Sequence, residues 1–257
     1  MPGGIPRKVS AMKLTVIGGT GLIGSQAVGK LTAAGHDAVA ASLSTGVDLI
    51  TGKGLDQALQ GSDTVINLAN SPTFDAASLD FFRTSMNNLL AAGDAAGVRH
   101  QVVLSIVGVD QVPELDYYRA KALQEELLQQ GPTPYSIVRA TQFFEFMDAV
   151  LSMTSDGTTV RLPATRIQPI AAADVVDAVV EVATGTPLAG IRNIAGPDAF
   201  PLDEIGRITL AARHDRRTVV TDGAAGMFAA VNGDVLTPGP DAHLAPTHYQ
   251  DWLKQSR

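Results

Sequence analysis

The stretch KLTVIGGTGLIGS, from Lys13 to Ser25, constrains the fold of this chain more than any other segment. Its apolar, largely β-branched run Leu14–Ile17 is typical of a buried strand. Gly18, Gly21 and Gly24 follow at the spacing GxxGxxG, and an amphipathic helical pattern comes directly after them. A strand, a glycine-rich turn and a helix in this order predict the opening of a dinucleotide-binding βαβ unit.

Each glycine of this motif has its own expected role. Gly18 lets the chain turn sharply, Gly21 lets backbone N–H groups approach a pyrophosphate, and Gly24 lets the helix pack closely on the strand. The phosphates are then expected at the helix N-terminus, where free N–H groups and the helix dipole favour negative charge. The alternative is a glycine-rich turn without a ligand, and the agreement of strand, turn and helix argues against it.

The composition argues against several functional classes. The chain has 257 residues, 45% hydrophobic and 18% charged, which suits one large α/β core. Its net charge is −7 and it has no basic stripe, so we do not expect it to bind nucleic acid. The lack of cysteine excludes disulfides and cysteine nucleophiles, and the five scattered histidines have no ligand spacing, so we expect no metal site.

The sequence also bears on location and assembly. No apolar run is long enough to cross a bilayer, and the first residues lack the apolar core of a secretory signal. We therefore expect a cytoplasmic protein without a membrane partner, either a monomer or a homodimer. Residues 1–11 are predicted to be a flexible leader, and residues 12–257 a single domain.

Strands and helices alternate after the glycine motif, which predicts a doubly wound parallel α/β sheet with right-handed crossovers. The predicted strands are 37–43, 63–68, 101–105 and 135–139, and the predicted helices are 54–60, 79–96 and 117–130. The pattern loosens beyond Thr141, and we expect a small C-terminal substrate lobe from about residue 142. The predicted elements beyond residue 141 are helices at 142–154, within 168–183, at 202–212 and at 249–254, a strand at 158–162, and a last core strand at 192–195.

The end of the second strand bears on the choice of cofactor. An acidic residue there hydrogen-bonds the ribose 2′-hydroxyl of NAD and repels the 2′-phosphate of NADP. This chain has Ser42, Leu43, Ser44 and Thr45 at that place, with no Asp or Glu. Hydroxyls at Ser42 and its neighbours favour NADP, but NAD stays possible because no Arg is present to pair with the phosphate. The alternative is that these are solvated turn residues.

Three residues form a candidate catalytic group. Ser105 ends a strand at the carboxyl edge of the sheet, and Tyr117 and Lys121 are four apart on one helix, so they share a face. We expect the ammonium to lower the pKa of the phenol, so that Tyr117 exchanges a proton with a carbonyl or alcohol near neutral pH. Lys121 would also hydrogen-bond the nicotinamide ribose, and Ser105 would hold the substrate oxygen. The alternative is a surface Tyr–Lys pair on an amphipathic helix.

The succession of these motifs resembles the short-chain dehydrogenase/reductase superfamily. TVIGGTGLIGS (15–25), VLSIVGVD (103–110), YYRAKALQEELL (117–128) and YSIVRATQFFEF (135–146) are similar to its extended and atypical, NmrA-like branches. The resemblance implies a Rossmann fold, a nicotinamide cofactor and a substrate pocket under the C-terminal lobe.

The resemblance also implies roles for individual residues. Ser105, Tyr117 and Lys121 match the catalytic positions of the superfamily. Phe82 departs from the pattern, since extended members usually carry there the Asn that completes a proton relay, and Tyr118 replaces a small residue. The implied cofactor contacts are Gly18, Thr20, Gly21, Leu22 and Ile23 at the pyrophosphate, Ala69 and Asn70 on the adenosine side, and Ala140 and Gln142 near the nicotinamide.

Two functions from different classes follow. The first is an NADP(H)-preferring oxidoreductase that transfers hydride to a small carbonyl, enone or quinone-like substrate. Phe143, Phe144 and Phe146 would line an apolar pocket for it, and the alternative is that at least two of these three belong to the core. The second is a non-catalytic NAD(P)-binding redox sensor that acts through a protein partner. A third, weaker alternative is an isomerase or epimerase that holds NAD tightly.

Overall fold

A computed structural model of the chain describes residues 11–231 and 233–255. The predicted leader at 1–11 therefore lies outside the described residues except for its last position. Across the described ranges, no helix combines the length and the apolar character that crossing a bilayer requires.

Eleven strands are present among the described residues, and seven of them form one parallel sheet. The sheet order is β2-β1-β3-β4-β5-β8-β11, while β6 pairs with β10 and β7 with β9 outside it. This confirms the predicted Rossmann-type α/β architecture. The strands are β1 Lys13–Ile17, β2 Asp37–Ala41, β3 Thr64–Asn67, β4 His100–Ile106, β5 Tyr135–Ala140, β6 Thr159–Leu162, β7 Arg166–Ile167, β8 Gly190–Ala195, β9 Phe200–Pro201, β10 Thr218–Thr221 and β11 His243–Leu244.

Helices cover both faces of the main sheet. On one face α1 packs against α6, and on the other α3 packs against α2 and α4. Both faces of the inner strands are therefore buried, which explains their nearly continuous apolar sequences. The helices are α1 Leu22–Ala33, α2 Leu55–Leu59, α3 Ala77–Ala95, α4 Asp116–Gln130, α5 Met147–Met153, α6 Ala172–Thr184, α7 Leu202–Ala212 and α8 Tyr249–Gln255.

The strand order reverses direction at β1, and this determines where a ligand fits. The chain runs from β1 to β2 on one side and then returns to β3 on the other side. The two crossovers diverge at the carboxyl ends of these strands and leave a crevice there. The glycine loop lies directly at this crevice, because it connects β1 to α1.

The C-terminal part of the chain differs from its predicted elements in two ways. The helix expected at 142–154 begins only at Met147, because the preceding backbone bonds elsewhere: the Ile170 N–H donates to Gln142 O at 2.9 Å, and the Phe144 N–H donates to Ile170 O at 2.9 Å. Strand β11, which was not predicted, also pairs with β8, the core strand expected at 192–195, so the part beyond residue 142 completes the central sheet.

The packing of α1 on the glycine loop generates a prediction. A Cβ added at Gly24 would lie 2.7 Å from Gly19 Cα and would overlap the carbonyl oxygen of Gly18. Both are backbone atoms, so they can move aside only if the loop moves with them. We expect Gly24→Ala to lower the free energy of unfolding by about 2 kcal/mol or more. Gly29→Ala on the same helix is the matched control. It meets no atom within 4 Å and should stabilise by about 0.5–1 kcal/mol. Urea denaturation measures both, and equal effects would contradict the close packing.

Candidate functional site

The glycine loop leaves the N-terminus of α1 open. Gly18 has φ +74°, a conformation that side-chain-bearing residues rarely adopt, and its N–H donates to Ala41 O at 2.8 Å. Gly21 is the N-cap of α1, and among the described residues no side chain caps the helix and no acidic residue lies in its first turn. The N–H groups there are thus available to an anion, and this bare cradle fits the diphosphate of a dinucleotide.

A cluster of hydroxyl groups lies beside this loop, where an adenosine ribose is expected. The Ser42 hydroxyl, directly after β2, lies 3.0 Å from the Thr20 hydroxyl and 3.0 Å from that of Ser44. The Ser42 N–H donates to the Thr45 hydroxyl at 2.8 Å, which holds the turn. The structure thus joins the predicted residues Thr20 and Ser42 into one hydrogen-bonded cluster without a carboxylate.

A cavity of about 250 Å³ opens at the carboxyl ends of β3, β4 and β5. Most of the predicted site residues line this cavity. The sequence alone places them on separate strands, helices and loops. The cavity is lined by Ile23, Leu68, Ala69, Asn70, Phe74, Leu104, Ser105, Ile106, Tyr117, Tyr118, Lys121, Ala140, Thr141, Gln142, Phe143, Phe146 and Phe228.

Tyr117 lies in this cavity, but its electrostatics differ from the prediction. Its phenol donates a hydrogen bond to Asn70 Oδ1 at 2.5 Å, and its ring packs edge-on against Phe74 at 4.9 Å between centroids. Burial raises the pKa of Tyr117 to about 12, although the bond to Asn70 opposes the rise. The expected lowering of this pKa by Lys121 is therefore wrong, because burial removes the water that would stabilise the phenolate.

Lys121 is held away from the phenol. Its ammonium donates to Leu104 O at 2.7 Å and to the side-chain oxygen of Gln124, and lies 5.0 Å from the centre of the Phe82 ring. Burial lowers the pKa of Lys121 to about 7, and the charge of Glu125 opposes this. The surface-pair alternative is wrong as well, because Lys121 is 4% exposed.

The ring of Phe82 lies beside both of these groups. Its ring centre is 6.2 Å from that of Tyr117, and the Lys121 ammonium lies over its face. An apolar ring therefore stands where the sequence comparison expects an Asn to pass protons. Lys121 gains a cation–π contact from it instead.

Two buried hydroxyls face the cavity without a hydrogen-bond partner in the described part of the chain. They are Ser105, 4% exposed at the end of β4, and Thr141, 2% exposed directly after β5. Buried hydroxyls in folded proteins are normally paired, so both groups are available to a ligand. Ser105 was predicted as a site residue; Thr141 was not.

The aromatic residues of the cavity correct another expectation. Phe143 lines the cavity, but Phe144 does not: it packs in the core against the rings of Tyr249, at 4.9 Å, and Trp252, at 5.5 Å. The short 3₁₀ turn Phe144–Phe146 turns it inward. Phe146 lines the cavity as expected, whereas Phe74, Tyr118 and Phe228 were not predicted as lining it. Phe74 lies in the segment between β3 and α3 and Phe228 in a short 3₁₀ turn, Met227–Ala230, and neither segment has a periodic pattern. Tyr118 stood out in the sequence only as the replacement of a small residue beside Tyr117.

A buried ion pair fixes α4 on the sheet. The Arg139 guanidinium on β5 donates to the Glu125 carboxylate of α4 at 2.6 Å, and to Asp110 at 3.2 Å. Glu125 is buried, so the pair is shielded from solvent and orients α4 along β5. Tyr117 and Lys121 lie on the same helix, and their positions therefore depend on this contact.

Comparison with known proteins agrees with the geometry. The sequence matches the family described as NAD(P)H-binding over residues 18–186, from the glycine loop through α6. It is 30% identical over 143 residues to a (4-alkanoyl-5-oxo-2,5-dihydrofuran-3-yl)methyl phosphate reductase of Streptomyces griseus. That match covers 51% of this chain and 48% of the relative, so it spans about half of each protein.

Two solved structures share the fold. One is a dTDP-4-dehydrorhamnose reductase from Bacillus anthracis in complex with NADP, with a TM-score of 0.71 and 14% identity over 95% of this chain and 98% of that one. The other is an NADPH-dependent quinone oxidoreductase from Escherichia coli, with a TM-score of 0.62 and 18% identity over 82% of this chain and 78% of that one. At such identities the likeness concerns the fold alone.

The burial of Lys121 predicts a pH dependence of stability. Its pKa falls from an ordinary 10.5 to about 7 on folding, so above pH 7 the folded protein releases a proton that the unfolded chain keeps. The Lys121 contribution to the free energy of unfolding should therefore rise with pH from about 7 to 9, by at most about 1.4 kcal/mol per pH unit. Lys121→Met lacks this contribution, so its stability advantage over wild type should be largest at pH 6 and shrink as the pH rises.

Urea denaturation at several pH values measures that difference. Lys53→Met, which removes an exposed ammonium, is the matched control and should leave the pH dependence as in wild type. Parallel curves for wild type and Lys121→Met would contradict the burial of the charge.

Proposed function

The chain belongs to the NAD(P)H-binding family, and from its cavity we propose that it is an NAD(P)H-dependent reductase of a small, neutral, conjugated carbonyl compound. The observation that carries the proposal is the unpaired Ser105 hydroxyl, buried at the end of β4 in the cavity that also holds the Tyr117 phenol. Among the described lining residues, Lys121 is the one basic group and none is acidic, which favours a neutral substrate.

The residues around the glycine loop would hold the cofactor. Gly18, Thr20, Gly21, Leu22 and Ile23 surround the open N-terminus of α1 and would bind the diphosphate. The adenosine end would reach Ser42, with Ala69 and Asn70 alongside. The nicotinamide would lie against Ala140 and Gln142, near Lys121, because these residues line the cavity.

Three side chains would carry the chemistry. The bound reduced nicotinamide supplies a hydride. The Ser105 hydroxyl would donate a hydrogen bond to the substrate oxygen, where negative charge develops. Tyr117, protonated at neutral pH because its pKa is about 12, would donate a proton once the substrate replaces Asn70 as its acceptor. The buried ammonium of Lys121, which lines the same cavity, would stabilise the negative charge.

An activated alkene fits this site best within that class. The Streptomyces griseus relative is named as a reductase of an oxo-dihydrofuran that carries an alkanoyl group and a methyl phosphate, and the neutral class proposed here shares the conjugated carbonyl system without the phosphate. Addition of a hydride to one alkene carbon breaks the π bond and moves its electron pair to the conjugated carbonyl oxygen, near Ser105. The second alkene carbon then takes up a proton. The flat aromatic walls formed by Phe143, Phe146 and Phe228 suit a planar conjugated molecule.

One observation supports a different function, a redox sensor acting through a protein partner. The Tyr117 proton is engaged by Asn70, and Lys121 bonds to Leu104 and Gln124 instead of reaching the phenol. A protein that only reports the state of its cofactor needs no poised proton donor. It must, however, bind the oxidised and reduced forms with different affinities.

The reductase proposal predicts the effect of removing each polar group. Ser105→Ala should lower kcat/KM for an enone about a hundredfold by deleting a donor to the developing oxyanion, and Tyr117→Phe should have an effect of similar size. The dissociation constant of NADPH should stay within about twofold of wild type, since neither group bonds the diphosphate. NADPH oxidation at 340 nm gives the rates, and fluorescence titration gives the affinities.

Ser85→Ala, a buried serine on α3 outside the cavity, is the control and should keep wild-type turnover. Unchanged turnover in Ser105→Ala would remove Ser105 from the mechanism. If the wild-type protein binds NADPH and NADP⁺ with different affinities and reduces no carbonyl compound, the redox-sensor function would be favoured.

The hydroxyl cluster of Thr20, Ser42 and Ser44 supports a preference for NADPH over NADH, and a carboxylate placed in it should reverse that preference. Ser42→Asp places a carboxylate where the 2′-phosphate is expected, so NADPH binding should weaken at least about tenfold while NADH binding changes less than about twofold. Ser42→Asn is the neutral control of the same shape. Fluorescence titration of both reduced cofactors measures the effect, and equal weakening for the two would show that Ser42 does not meet the 2′ position.

A further inference from the structure

Thr141 is a buried polar group to which the proposed mechanism assigns no task. It is 2% exposed, lines the cavity, and its hydroxyl has no partner among the described residues. Its own N–H donates to Ile194 O at 3.2 Å, so the backbone is fixed by β8 and the side chain stays at the cavity wall. The hydroxyl therefore remains available to whatever fills the cavity.

Thr141 and Ser105 lie at two separate points of the wall. In the register of β4 and β5, Ser105 stands opposite Arg139 and Ile106 opposite Ala140, so Thr141 lies two residues beyond the level of Ser105 on the neighbouring strand. The strand rise and spacing put their Cα atoms about 8 Å apart. The two hydroxyls thus stand at different levels of the wall, where the two ends of a small planar molecule can each accept a hydrogen bond from one of them.

The surroundings of Thr141 define the chemistry of its partner. Phe143 and Phe146, which follow it in sequence, add aromatic walls, and among the described lining residues no carboxylate or guanidinium is present. A hydroxyl that stays unpaired when a ligand enters weakens binding, so the site disfavours ligands that are apolar at this end. The partner is thus a neutral oxygen acceptor.

Resting on the proposed function, we propose that Thr141 donates a hydrogen bond to a second carbonyl oxygen of the substrate. The preferred substrate is then a planar compound in which two carbonyl groups are conjugated to one carbon–carbon double bond. The hydride supplied by the reduced cofactor would form a C–H bond at one alkene carbon as the π bond breaks. The π electrons would move to the carbonyl oxygen near Ser105, and the Tyr117 phenol would donate the proton that the other alkene carbon takes up. Thr141 binds the other carbonyl oxygen, on which no negative charge develops, and determines which end of the molecule meets Ser105.

A matched pair of six-carbon substrates tests this assignment. Trans-diacetylethylene carries a carbonyl on both sides of the double bond, and propylideneacetone carries one. Thr141→Val keeps the shape and removes the hydroxyl. It should lower kcat/KM for the diketone about tenfold, mainly through KM, and change that for the monoketone less than twofold. Thr141→Ser should keep kcat/KM for the diketone near the wild-type value, because it keeps the hydroxyl.

A binding measurement gives a readout besides turnover. Calorimetry on the protein loaded with NADP⁺ should show acetonylacetone, the saturated diketone, binding about tenfold more weakly to Thr141→Val than to wild type. Thr64→Val is the control: Thr64 is equally buried, but it lies on β3 and bonds to Ala183 O, outside the cavity. Thr64→Val should leave kcat/KM for both ketones, and the binding of acetonylacetone, as in wild type.

Three outcomes would overturn the inference. Equal losses for both ketones together with weaker NADPH binding would show that Thr141 serves the cofactor, and the proposed reductase function would stand. Unchanged kinetics and binding for the diketone in Thr141→Val would show that the hydroxyl has no ligand. A wild type that reduces neither ketone and binds neither product would overturn the proposed function itself.

Discussion

The contact between two glycines holds the cofactor end of this structure together. The backbone of Gly24 in α1 packs against the carbonyl of Gly18 with no side chain between them, and this brings the first turn of α1 over the carboxyl end of β1. The open N–H groups of that turn can face a diphosphate only because the helix approaches so closely. The same helix packs on α6 on one face of the sheet, so the cradle and the central core share one set of contacts.

At the other end of the cleft, burial outweighs the attraction between charges. In water, an ammonium four residues from a phenol would favour the phenolate. Here burial raises the pKa of Tyr117 to about 12 and lowers that of Lys121 to about 7, and each group bonds to a neutral partner. A phenol that keeps its proton at neutral pH is a donor rather than a base. This property suits a reductase better than a dehydrogenase working in the opposite direction.

The cavity between these ends combines flat apolar walls with a few unpaired hydroxyls. Apolar walls alone would accept many small molecules with little discrimination, whereas a buried hydroxyl without a partner disfavours ligands that cannot bond to it. Ser105 and Thr141 stand on adjacent strands at different levels, so the register of β4 and β5 sets the spacing of these two groups. The specificity proposed for this protein therefore depends on strand register as well as on residue identity.

The sequence by itself determined the α/β alternation, the phosphate loop and the positions of Ser105, Tyr117 and Lys121 on their elements, because periodicity, glycine spacing and helix geometry act over a few residues. It did not determine that Phe144 lies in the core beside Phe143 in the cavity, or that the helix after β5 begins only at Met147, since both depend on residues near 170 and 250. The partners of Tyr117 and Lys121 were equally out of reach of local patterns. Asn70 comes from the loop after β3 and Leu104 from β4, and only the packed sheet brings them to α4 and removes the water that would otherwise set both pKa values.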